Sequence, residues 1–74
     1  MAEQPIPGMS AADYEFCQGY FDGRDPNAPE PSDNRSHCYR HSFAVGRAEL
    51  AGCVIPAEKS RIRAAEAELL DELA

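Results

Sequence analysis

A chain of 74 residues carrying a formal charge of −6 at pH 7 has material for one small core and little beyond it. That leaves scant room for an enzyme, which needs a pocket as well as a core. The acidic balance excludes a grip on nucleic acid through a basic face and favours a basic protein partner or simple solubility.

Cys17, Cys38 and Cys53 are odd in number and form no close pair, which reads as a reduced, cytoplasmic chain with free, part-buried thiols. Met1 to Met9 has no basic region followed by an apolar run, so no signal peptide is expected. No apolar stretch approaches the roughly 20 residues that a membrane span needs.

In chain order, residues 1–9 read as a flexible N-terminal arm and residues 10–74 as a single helical domain. Ser10 is placed as an N-cap, with Asp13 at N3 and a staple between Met9 and Tyr14. The first helix is expected over residues 11–24, burying Phe16, Cys17, Tyr20, Gly19 and Gly23. Glu15, Gln18, Asp22 and Asp25 fall on the opposite stripe. Pro26, Pro29 and Pro31 break the chain into a loop over residues 25–35 that turns it back. Asp33, Asn34 or Ser36 can cap a second helix over residues 36–51, which Gly52 ends in the left-handed C′ position. Cys53, Val54 and Ile55 connect to Pro56, and a third helix follows over residues 57–73. Its seam is Ile62, Ala65, Leu69 and Leu73, with Arg61, Glu68, Asp71 and Glu72 roughly opposite. The acids at its C-terminus oppose the macrodipole, so this end frays or is held by something basic.

One pattern is written twice. Phe16, Gly19, Tyr20, Gly23 and Arg24 are matched by Tyr39, Ser42, Phe43, Gly46 and Arg47, an aromatic-small-aromatic-Gly-Arg spacing of i, i+3, i+4, i+7 and i+8. Each copy puts two rings and two small residues on one helix face, and small residues four apart let another backbone approach closely. The fold predicted is therefore all-α: three helices, an antiparallel helix pair from an internal repeat plus a C-terminal amphipathic helix. Arg24 and Arg47 sit in the last turns of their helices, where a cation is favoured and can pair with a nearby acid.

His37 and His41 are spaced i, i+4, and with Cys38 and Cys17 they sketch a zinc site. It lacks a second pair of ligands at suitable spacing, so no metal and no cofactor are expected. Nothing places a nucleophile on a strained turn, and the glycines are explained by packing, so the chain is not expected to be an enzyme. Glu15, Asp22, Asp25, Glu30 and Asp33 run from the first helix into the loop. They read either as a solvated face or as a partner-binding surface that imitates a nucleic-acid backbone for a basic groove.

The pattern Gly19-Tyr20-x-x-Gly23-Arg24, a proline loop and Tyr39-x-x-Ser42-Phe43-x-x-Gly46-Arg47 resembles the helix–loop–helix of ribosome modulation factor and its relatives, over residues 16–49. That resemblance implies association with the ribosome. In size, charge and character the whole chain is similar to small anti-CRISPR proteins of phages and mobile elements. This implies a stoichiometric inhibitor that occupies a basic surface of a CRISPR interference complex and blocks its binding to DNA, without touching nucleic acid or membrane itself.

Overall fold

The computed structural model describes residues 8–74, so most of the expected N-terminal arm lies outside the described residues. The chain forms three helices, α1 (Ala11–Arg24), α2 (His37–Leu50) and α3 (Ala57–Leu73), and the described residues contain no strand. The architecture is all-α.

Local signals set the helix ends. The Ser10 hydroxyl accepts the Asp13 N–H at 3.1 Å, and Ser36 does the same for Tyr39 at 3.1 Å. Beyond α2, Gly52 adopts φ 87°; its N–H reaches the Glu49 carbonyl at 3.0 Å while the Cys53 N–H reaches Ala48 at 2.9 Å. These are the two bonds of a Schellman ending, which only a left-handed residue at C′ allows without strain. Pro56 begins α3 and supplies no side-chain cap.

α1 and α2 meet backbone to backbone. A Cβ built on Gly19 would lie 2.2 Å from the Tyr39 carbonyl oxygen, and one on Gly23 would lie 2.2 Å from that of Phe43. A Cβ on Gly46 would stand 2.4 Å from the Tyr20 carbonyl oxygen. Partners thus advance together along both helices, from Gly19 with Tyr39 to Gly23 with Phe43. The helices run in the same direction, which corrects the expected antiparallel arrangement. The loop explains how. Residues 25–36 in extended form span up to roughly 3.3 Å each, more than enough to return along a 14-residue helix rising about 1.5 Å per residue. Two turns, closed by the Ala28 N–H on the Asp25 carbonyl and the Arg35 N–H on the Ser32 carbonyl at 3.1 Å each, flank the stretch through Pro29 and Pro31, and the chain comes back to the start of α1 before α2 begins.

Cys38, Tyr39, Ser42 and Phe43 of α2 are buried, with Gly19, Gly23 and Gly46 at the contact. Cys17, expected in this core, is exposed. It lies almost opposite Gly19 on the helix, so it cannot share the glycine face.

α3 packs on α2 in the reverse direction, and here the expected seam is overturned. Ile62 and Leu69 are each 55% exposed and Leu73 is 75% exposed, whereas Ala67 is buried and Ser60, Ala64 and Asp71 are half-buried. α3 therefore approaches α2 with small side chains. A close helix contact has no room for leucines, and the apolar stripe is left on the far side.

Candidate partner-binding surface

Two elements, α1 and the loop that follows it, place the carboxylates expected to meet a partner. On α1, Glu15 and Asp22 flank the glycine face on the side away from Phe16 and Tyr20, so both are drawn into the contact with α2. Glu15 accepts the Ser36 hydroxyl at 3.0 Å and lies 3.6 Å from the Arg35 guanidinium. Asp22 accepts the Tyr39 hydroxyl. Burial, then the bond and charge of Asp22, push that hydroxyl up to about 12. Neither acid stands clear of the packing as the helical wheel implied.

In the loop the carboxylates are outward. Asp25, Glu30 and Asp33 are exposed; Asp25 accepts the Asn27 N–H at 2.9 Å and Asp33 approaches Arg40 at 3.9 Å. The loop that carries them is fastened from behind. Arg47 donates to the Ala28 carbonyl at 2.7 Å and to the Asp25 carbonyl at 3.3 Å, with its guanidinium over the Phe43 ring at 4.9 Å. It thus binds main-chain oxygens where an acidic partner was expected. Arg24 does find an acid, Glu49, at 3.0 Å, and Tyr20 donates to the same carboxylate. Asp22 and Glu30, with Pro29, Pro31, Arg35 and Tyr39, line a shallow hollow between loop and helices.

A second acidic group assembles where the N-termini of α1 and α2 meet the C-terminal end of α3. Glu15, Glu68, Asp71 and Glu72 surround a hollow with Ala11, Ala12 and Ser36 on its wall. Sequence reasoning did not include Glu68 and Glu72, although their position against the helix macrodipole was a signal. Asp71 answers that signal within the chain. Its carboxylate takes the His37 N–H at 2.7 Å and the Cys38 N–H at 3.0 Å, so the C-terminal end of α3 caps the N-terminus of α2. Burial raises the Asp71 carboxyl, but bonds from the Cys38 thiol and these two amides outweigh it and hold the group below its ordinary range. Cys38 responds in the opposite sense: burial, then Asp71, push its thiol up to about 12.

The residues weighed as zinc ligands do not converge. Cys38 points into the core, the His37 ring meets Arg40 at 3.2 Å, and His41 stands edge-on to Phe16 with ring centres 6.2 Å apart. Among the described residues, no three His, Cys, Asp or Glu side chains are grouped to hold a metal ion. Nor, among them, is any helix long and apolar enough to cross a membrane.

No family model matches the chain, and comparisons with curated proteins and with solved structures find no match.

Proposed function

We propose that this chain is a stoichiometric inhibitor of the anti-CRISPR kind, binding a basic surface of a nucleic-acid-handling complex and competing with DNA for it. The observation that carries the reading is the hollow ringed by Glu15, Glu68, Asp71 and Glu72 at the junction of the three helices. Its open mouth and the exposed carboxylates of Glu68 and Glu72 suit an arginine or lysine side chain, beside Glu15 and Asp71, which are engaged within the chain; the exposed loop acids Asp25, Glu30 and Asp33 add charge of the same sign elsewhere on the surface. A partner evolved to hold phosphates offers such side chains in a row. The net charge of −6 adds a long-range attraction to a basic groove and a repulsion from nucleic acid itself.

The test is affinity capture from cells carrying an active CRISPR system, with mass spectrometry and a plasmid-interference assay. Interference subunits should co-purify, and interference should fail while the protein is expressed. Glu68→Lys with Glu72→Lys, or Glu30→Lys with Asp33→Lys, should weaken binding at least tenfold and restore interference, since close charge pairs in an interface couple by more than about 1.5 kcal/mol. Full inhibition by both double variants would overturn the reading. Co-sedimentation with ribosomes in place of an interference complex would transfer the case to the modulation-factor alternative.

A further inference from the structure

α3 carries two faces. Ser60, Ala64, Ala67 and Asp71 meet α2, and at about 100° per residue Ile62, Leu69 and Leu73 fall almost diametrically opposite them. With Leu70 beside it, this stripe leaves Ile62 55%, Leu69 55%, Leu70 49% and Leu73 75% exposed. A row of branched apolar side chains at that spacing is costly to keep in water and is what a second helix covers.

Charge says which helix. The first half of α3 holds Lys59, Arg61 and Arg63 against Glu58 alone, and the second half holds Glu66, Glu68, Asp71 and Glu72 with no cation. A helix segregated in this way repels a parallel copy of itself and attracts an antiparallel one. The hollow around Ile62 repeats the theme on a smaller scale, with Lys59 and Arg63 set beside Glu58 and Glu66. We propose that α3 pairs antiparallel with α3 of a second copy of this chain, about a two-fold axis near Ala65. That axis, between Ala65 and Glu66, sets Ile62 of each copy level with Leu69 of the other and leaves Arg63 about 3 Å along the helix from Glu66 of its mate, within reach of its long side chain. Ala65, small and exposed, sits where the two helices cross and lets them approach. The antiparallel pairing also lays each α3 C-terminus, with its excess of acids, along the N-terminal half of its mate, which relieves the unfavourable dipole. The interface is isologous, so it closes at two copies. Its apolar contacts lie outside the hollow at the three-helix junction, with which it shares only the charge of Glu68, Asp71 and Glu72, and it does not use the acidic loop.

Sedimentation equilibrium over a wide range of concentration tests this. The mass of the parent should rise towards twice the 8.1 kDa of one chain. Leu69→Glu, and independently Leu73→Glu in the exposed last turn, should remain at single-chain mass with the parent's helical circular dichroism. Arg63→Glu and Glu66→Arg should each associate at least tenfold more weakly alone, and an equimolar mixture should recover the double mass. A parent that stays at single-chain mass at the highest concentration would overturn the proposal, and the stripe would then belong to another protein. So would undiminished association of either Glu variant, or a mixture of the charge variants no heavier than its parts. These readouts are independent of interference, so this proposal and the functional one can fail separately.

Discussion

Gly23 and Phe43 are in backbone contact: the α-carbon of one faces the carbonyl oxygen of the other, with no space for even a methyl group between them. In an isolated helix, Gly→Ala is favourable by up to about 1 kcal/mol. Here Gly19→Ala, Gly23→Ala and Gly46→Ala should each destabilise by about 1–3 kcal/mol, because main chain cannot step aside as a flexible side chain does. In a domain of this size, each kcal/mol moves Tm by roughly 4–8 °C. Thermal melts followed by circular dichroism read the effect, and a variant more heat-stable than the parent would refute the close contact. Gly52→Ala tests a different cause, since its φ of 87° strains any side chain although space around it is open.

Asp71→Ala removes the carboxylate that caps α2 from α3. The expected loss is about 0.5–2 kcal/mol, as for an N-cap. Because Asp71 is also a clasp between helices, amide exchange should quicken at His37 and Cys38 and along the last turns of α3. Unchanged protection at those sites would show that small-residue packing alone holds α3 in place.

Acid should weaken the fold in two stages. His41 is held below its ordinary 6.5, first by burial beside Phe16 and then by the charge of Arg63. The unfolded chain therefore binds the proton more tightly, and the stability that neutral His41 protects is lost as pH falls below 6.5 towards the folded value. Asp71 follows at lower pH: its depressed value stabilises the fold above the ordinary 3.8 and ceases to do so as pH drops through the folded value. Tm measured against pH should fall in both ranges. His41→Gln should flatten the upper stage and leave the lower one; a profile unchanged by that substitution would remove His41 as the cause.

Thiol reagents should distinguish the cysteines. Cys17 and Cys53 are exposed, while Cys38 is 1% exposed with its thiol pushed up to about 12. Two equivalents should label promptly in the native protein, and the third only on unfolding. Prompt labelling of Cys38 would mean that α3 lifts away from α2 in solution.

Much of the helical skeleton was legible. Ser10 and Ser36 before apolar periodicity, Gly52 after it, and Pro56 ahead of a last amphipathic run mark ends that lie where the capping rules put them. Helix direction was not legible, because a glycine face permits close approach in either sense. Residue types also misled on α3. Ile62, Leu69 and Leu73 are the residues a core ordinarily claims, but the glycine-packed pair offers a shallow surface on which Ala64 and Ala67 fit better. For the acidic residues, a helical wheel drew Glu15 and Asp22 towards solvent, whereas the hydroxyls of Ser36, the N-cap of α2, and of Tyr39 on α2 drew them inward. Glu68 and Glu72 join Glu15 only through a three-helix junction, which no local pattern encodes.

The parallel course of α1 and α2 bears on how the chain finds its fold. Two helices joined as a hairpin can zip from the turn, each new contact lying just beyond the last. Here the bonds across the pair join residues 17, 21, 25 and 29 positions apart, and no contact near the turn is available to start from. The first productive encounter must therefore close the whole proline loop at once, paying its entropy before any glycine contact repays it. Folding should accordingly be slower than local helix formation implies, and its rate should respond to the loop's stiffness and length more than to helix propensity.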